Sequence, residues 1–256
     1  MASLASGVSH RRALPWGPAS APRPLATGEV HLWHVALDAT HEPLDVLSQL
    51  LSDDERARAA TFHFAADRAR YVVAHAALRT LIARYLGAAT HRSAFHLESH
   101  GKPALSARPP LRFNLAHSRH VALVAFDAER EVGVDLEAID GKTEVEDVAR
   151  HFFSSAECRA LLELPPERRR PGFFHVWSQK EAYLKGRGDG VAHGLDHFDV
   201  SADPALPARL LADRRDPAAA ERWRLLSLDL GDDFRGALAV EGHEPVLHRF
   251  EWESAA

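Results

Sequence analysis

Apolar positions along the chain fall into two periods. From Asp67 to Leu86, Tyr71, Ala74, Leu78, Leu81, Ile82 and Tyr85 recur at three- and four-residue steps, which predicts a long helix closed by Gly87. A second long helix is predicted from about Gly172 to Lys185, closed by Gly186. Elsewhere the period drops to two. In Glu131–Glu137, Val132, Val134 and Leu136 face one way, while Asp135 and Glu137 face the other, so the segment reads as a strand. Val121–Phe126 supplies a partner strand, joined to it by a turn through Asp127–Arg130. Glu29–Leu37 is a strand ahead of the first long helix. Strands are also expected at Leu195–Val200, Trp223–Leu230 and Phe234–Val240, with Arg209–Arg224 as a loop.

Ser52-Asp53-Asp54-Glu55 and Ser154-Ser155-Ala156-Glu157 each fit a capping box. Each opens a short helix ahead of a long one. The repeat predicts an α+β fold built as a pseudo-two-fold tandem of two similar halves, 29–138 and 139–256, divided near Ala138–Lys142. Residues 1–28 hold four prolines, Arg11, Arg12 and Arg23 and no acid, which reads as a disordered tail without a secretory h-region.

Composition narrows the function. With 256 residues, 46% of them hydrophobic and 26% charged, the chain has length enough for a full core. A net charge of -5 argues against general nucleic-acid binding, and no apolar run approaches a membrane span. The single cysteine, Cys158, excludes an internal disulfide and fits a cytoplasmic protein.

Three segments carry candidate chemistry. In Trp177-Ser178-Gln179-Lys180-Glu181-Ala182-Tyr183-Leu184-Lys185-Gly186, helical spacing places Trp177, Glu181 and Lys185 on one side, with Lys180 at its shoulder. A carboxylate among ammonium groups suits a metal ion and an anion held together, although such pairs are also common surface decoration. Asp135 and Glu137, ~6.5–7 Å apart on one strand face, can converge on a hard cation; the plainer alternative is a solvated edge strand. From Lys102 to Phe126 there is no acid, but there are Lys102, Arg108, Arg112, His117, Arg119 and His120, donors of the kind a polyphosphate needs.

The order Gly101-Lys102-Pro103, Phe113-Asn114-Leu115-Ala116-His117-Ser118, Gly133-Val134-Asp135-Leu136-Glu137 and Trp177–Lys185 resembles the Sfp-type 4′-phosphopantetheinyl transferases, over about Val30 to Val240. The resemblance implies transfer of the 4′-phosphopantetheine arm of coenzyme A to a serine of an apo acyl or peptidyl carrier protein. Adenosine 3′,5′-bisphosphate leaves and Mg²⁺ assists, in a cleft between the two halves. It assigns Asp135, Glu137 and Glu181 to the metal, and Arg58, Arg70, Lys102, His117, Lys180 and Lys185 to the cofactor and its phosphates. Glu181 is the candidate base for the serine proton, directly or through a bound water, and Lys185 steadies the leaving bisphosphate. The internal two-half design makes a monomer the expectation. Fatty-acid, polyketide and peptide-synthetase carriers all stay open.

Two positions depart from the family pattern. Glu55 stands where a lysine is frequent, and Ala116 where a serine usually precedes the histidine, both expected to weaken coenzyme A binding. These departures motivate one alternative, a non-catalytic relative that binds carrier or coenzyme A; a metal-dependent phosphodiesterase is another. Other motifs fail. Gly141-Lys142-Thr143 lacks the first glycine of a phosphate loop, and neither His117/His120 nor His193/His197 finds a third zinc ligand. Phe152, Phe153, Leu161 and Leu162 read as core before they read as a docking surface for a carrier helix.

Overall fold

The computed structural model describes residue 16, residues 24–87 and 111–190, residues 194–253, and the backbone of 95–97 and 103–105. Lys102 and most of the expected N-terminal tail therefore lie outside the described residues. In chain order the elements are β1 (Glu29–Ala36), α1 (Leu44–Ser48), α2 (Asp53–Ala60), α3 (Ala65–Leu86), β2 (Phe95–Leu97), β3 (Pro103–Leu105), β4 (Arg112–Ser118), β5 (Val121–Asp127) and β6 (Val132–Ala138). After these come α4 (Val145–Phe152), α5 (Ser155–Glu163), α6 (Pro166–Arg187), β7 (Phe198–Val200), β8 (Leu210–Asp213), α7 (Ala219–Arg222), β9 (Trp223–Leu228), β10 (Phe234–Glu241) and β11 (Val246–Trp252).

Two sheets organise these elements. One has the order β11-β1-β5-β4 and the other β6-β10-β9. Between them lies a core of Val30, Leu32, Leu123 and Ala125 from the first sheet and Val132, Val134, Leu136, Leu238 and Val240 from the second. Helix α3 covers the far face of the first sheet, on Trp33, Val35, Val124 and Phe126. Helix α6 covers the far face of the second, on Ala237 and Ala239. The alternation in β6 decides its two faces: Val132, Val134 and Leu136 enter the inter-sheet core, which leaves Asp135 and Glu137 on the α6 side.

Strands β4 and β6 are stitched by side chains. The Val134 N–H donates to Asn114 Oδ1 at 2.8 Å, and the Ala138 N–H to Ser118 Oγ at 3.1 Å. These bonds satisfy backbone donors that an open sheet edge would leave to water, and they hold His117 of β4 beside the acidic strand. Ala116 points into the inter-sheet core and is buried, so a hydroxyl at that position would not enter the cleft.

The tandem design extends beyond the two capping boxes, both of which form. Each box glutamate has a second duty. Glu55 accepts from Arg79 Nε of α3 at 2.5 Å, and Glu157 meets Lys180 Nζ of α6 at 2.8 Å. Arg79 and Lys180 each stand 14 residues after the first residue of a 22-residue helix. In both halves, then, one carboxylate caps the short helix and pins the long one.

Several elements differ from the sequence expectation. Helix α6 begins at Pro166, ahead of the expected Gly172, and runs through Pro171. Pro166 suits a first turn, where no N–H is needed, and the interior Pro171 forfeits one bond that packing replaces. Leu195–His197 is a 3₁₀ turn leading into the shorter β7. Part of the expected loop at Arg209–Arg224 forms β8, whose bonds go to β7. After Gly242 the chain returns to lay β11 parallel to β1, so residues 246–252 complete the sheet of the first half.

Candidate active site

Helix α6 lies against β6 at a glycine contact. A Cβ on Gly133 would stand 2.1 Å from the Ala182 carbonyl oxygen and 2.2 Å from the Gly186 nitrogen. Only glycine lets the strand touch the helix backbone there. Two residues on, Asp135 meets Lys185, with Nζ donating to Oδ1 at 2.5 Å. From Gly172 to Gly186 every residue of α6 is buried except Trp177, Glu181 and Lys185, one turn apart and half-buried. The helix thus exposes one stripe, and it is the stripe expected from sequence.

The electrostatics of this cluster are those of charges crowded in a poorly solvated place. Asp135 is 3% exposed, and its Oδ2 has no hydrogen-bond partner. Burial pushes its carboxyl upward, against the pull of Lys185. Glu137 is raised to about 7 by burial and then by Asp135 and Glu181, with Lys185 and a bond from Trp177 opposing. Glu181 is raised too, by burial first and then by Asp135. Burial works against the Lys185 ammonium, but Asp135, Glu181 and Glu137 together hold it above the ordinary lysine value. Three carboxyls are therefore electrostatic neighbours around one ammonium.

Among the described residues no group of three His, Cys, Asp or Glu side chains is already closed around a metal position. The donor chemistry nevertheless fits a hard divalent cation: three carboxyls that destabilise one another's charge, one of them with an orphaned buried oxygen.

The cluster opens on two sides. Toward the N-terminal half stands His117, exposed at the end of β4 and lowered by burial, by His75 and by Lys185. Toward the C-terminal half, a groove of about 320 Å³ is lined by Arg119, Glu137, Thr143, Val148, Phe174 and Trp177. Phe152, 41% exposed, meets Trp177 edge-on at 5.7 Å. Of the four apolar positions weighed as a docking surface, Phe152 and Leu162 are exposed, and Phe153 and Leu161 are core.

Not every expected contact reaches the cluster. Lys180, expected among the cofactor residues, is turned the other way and is fully buried. Its ammonium meets Glu157 and donates to the carbonyl oxygens of Leu195 at 2.7 Å and Phe198 at 2.6 Å. It is a packing lysine, since three partners take its three protons. Burial depresses its ammonium and raises the Glu157 carboxyl, so each charge there depends on the other. Replacing Lys180 by Met is expected to cost about 3–5 kcal/mol by stranding Glu157, read as a fall in the urea midpoint; an unchanged midpoint would refute the pair's role.

Arg70 is held by Asp38 through two bonds of 2.8 and 3.0 Å, and Arg58 is exposed on α2 with its guanidinium over Phe62. Glu55 faces inward, 7% exposed. Where the resemblance expects a lysine there stands a carboxylate bonded to His75 and Arg79. His75 itself was not found by sequence reading. It sits four residues after Tyr71 on the helix stripe, where an imidazole reads as one more half-buried position.

The model of the 4′-phosphopantetheinyl transferase superfamily matches residues 131–239, and that of the 4′-phosphopantetheinyl transferase N-terminal region matches 36–129. The chain is 38% identical over 230 residues to the 4′-phosphopantetheinyl transferase HetI of Nostoc sp., covering 89% of this chain and 94% of that protein. It is 33% identical to the 4′-phosphopantetheinyl transferase psf-1 of Bacillus pumilus, over 71% of this chain and 77% of that one. With a 4′-phosphopantetheinyl transferase of Bacillus subtilis it shares 27% identity, over 88% and 96%.

Proposed function

The chain belongs to the 4′-phosphopantetheinyl transferase family, and on that premise we propose that it moves the phosphopantetheine arm of coenzyme A to a serine of an apo acyl or peptidyl carrier protein. The observation that carries the reading is the stripe Trp177–Glu181–Lys185 of α6, set against Asp135 and Glu137 of β6. Acidic and basic groups alternate there as a pyrophosphate with its counter-ion would require.

In the proposed reaction the serine oxygen attacks the phosphorus that bears the pantetheine arm. A new O–P bond forms, the pyrophosphate P–O bond breaks, and adenosine 3′,5′-bisphosphate leaves. Serine hydroxyls are weak nucleophiles near neutral pH, so a carboxylate must take the proton. Glu181 is the proposed base: burial and Asp135 make its carboxylate a better proton acceptor than an ordinary glutamate. Lys185, kept charged by its acidic neighbours, faces the negative charge that develops on the leaving group. His117 and Arg58 offer further donors on the N-terminal side, and the expected contact from Lys102 rests on the resemblance alone. Asp135, Glu137 and Glu181 are the residues that would hold Mg²⁺, which when bound supplies charge neutralisation at the pyrophosphate oxygens.

The groove beside Trp177 and Glu137 is the proposed approach for the carrier serine, since Glu137 of the carboxylate cluster lines it. A single chain contains every group named, so a monomer suffices. Among the described residues no helix is long and apolar enough to cross a membrane; with the lone cysteine, a cytoplasmic setting is proposed.

Intact-mass spectrometry tests the reading. Apo carrier, coenzyme A and Mg²⁺ should give a carrier heavier by one phosphopantetheine, and a panel of fatty-acid, polyketide and peptide carriers with no mass gain would reject it.

A pH dependence follows from Glu137, raised from 4.5 to about 7. Below about 4.5 the folded and unfolded chains both carry its proton. Between 4.5 and 7 only the folded chain keeps it, so metal-free stability falls as pH rises through that window and is level above it. Mg²⁺ must displace that proton, so its stabilising effect should grow from pH 5 to about 7 and then plateau. Thermal melts with and without Mg²⁺ check this; an equal Mg²⁺ shift at every pH would contradict it.

A further inference from the structure

Away from the carboxylate cluster, helices α2 and α3 hold a carboxylate–imidazole pair. Glu55 Oε1 takes a bond from His75 Nδ1 at 3.0 Å, while Oε2 accepts from Arg79 Nε at 2.5 Å and from the Ser52 N–H at 2.8 Å. The His75 ring stacks on Tyr71 with centroids 4.0 Å apart and planes 26° from parallel. A ring bonded at one edge and stacked on one face has a single orientation. Its side chain keeps 18% of its exposure. With Nδ1 committed to Glu55, Nε2 points away from that carboxylate, and no described residue is bonded to it.

The surroundings explain why such a ring is useful. Burial pushes the Glu55 carboxyl upward, but bonds from His75, Arg79 and Ser52 outweigh this and hold it to about 2, so the charge beneath the ring is permanent. On the other side stands His117, which feels the charges of both His75 and Lys185. A line of cationic or cation-forming groups thus runs from α3 across β4 to α6. Glu55 of α2 and Tyr71 of its own helix touch His75, Arg79 bonds the other Glu55 oxygen, His117 of β4 feels the charge of His75, and Arg58 of α2 acts on Tyr71 beside it.

We propose that His75, oriented by Glu55, is a contact for a phosphate of coenzyme A, extending the wall of Lys185 and His117 toward α2. With Nδ1–H given to Glu55, the imidazolium offers Nε2–H to an anion, and Glu55 supplies the counter-charge on the far side. The assignment rests on the reading of the cleft as a coenzyme A site.

The test is calorimetric titration of coenzyme A into the full chain, without carrier, so turnover does not enter. His75→Gln is expected to weaken binding about tenfold; because His75 also bonds the buried Glu55, thermal melts check that the variant is folded at the titration temperature. His75→Lys is expected to restore most of the loss, since an ammonium can also sit between Glu55 and a phosphate. Because His117 feels the charge of His75, wild type and His75→Gln are also compared in a His117→Gln background, where the difference isolates His75. Binding within twofold of wild type, or a loss that His75→Lys leaves unrecovered, would overturn the assignment while the transferase reading stood. A wild-type chain that binds no coenzyme A would sink the reading of the cleft and this assignment with it.

Discussion

Replacing Asp135 by Asn should lower phosphopantetheine transfer by about 10²–10³-fold or more while leaving the melting temperature unchanged or slightly raised. Asp135 is almost wholly buried on β6, and burial already pushes its carboxyl toward the neutral form. Its negative charge is therefore held there at a cost to stability. Asparagine keeps an oxygen for the Lys185 ammonium but removes the charge that helps collect a divalent ion. A folding role would predict the reverse pattern, lost stability with activity falling only in step. Glu181→Gln should behave the same way, being half-buried on the one exposed stripe of α6. Initial rates by intact mass, measured beside thermal melts, separate the two cases. Full turnover of Asp135→Asn at saturating Mg²⁺ would remove Asp135 from the metal assignment.

Among the described glycines, Gly133→Ala should be the most damaging substitution. The added carbon would lie 2.1 Å from the Ala182 carbonyl and 2.2 Å from the Gly186 nitrogen, both backbone atoms of α6. No side-chain rotation relieves that contact, so strand and helix must separate. The expected loss is about 3 kcal/mol or more, with activity lost as well, because the same contact brings Asp135 to Lys185. Gly141→Ala, where an added carbon meets nothing within 4 Å, is the matched control. Equal urea midpoints for the two variants would show that the glycine contact does not set the helix on the strand.

Much of the site was legible because it rests on local periods. Alternation in β6 put Asp135 and Glu137 on one face, and helical spacing put Glu181 a turn from Lys185; both placements hold in the fold. Lys180 shows where that reasoning stops. It adjoins Glu181 in sequence, but a hundred degrees of helix rotation separates neighbours, and here that rotation carries the ammonium into the core beside Glu157. Nothing in a local pattern distinguishes a lysine bound for a phosphate from one bound for a buried carboxylate. Glu55 and His75 were hidden for a related reason. They are 20 residues apart, and each reads alone as a cap or as a half-buried helix position. Strand β11 was missed because four of its seven residues are half-buried and two exposed, which blurs the alternation. The approach of α6 to β6 was not read either, although Gly133 and Gly186 were both in plain view, since two glycines do not announce that they touch.

The account stands on Asp135, Glu137 and Glu181 gathering one divalent ion beside Lys185. Its most direct test is anomalous diffraction from crystals of the chain grown with Mn²⁺ and coenzyme A. The account predicts one strong manganese peak in the cleft, within ligating distance of carboxylate oxygens from both β6 and α6. A peak at any other site, or an occupied coenzyme A cleft with no manganese among these carboxylates, would contradict it.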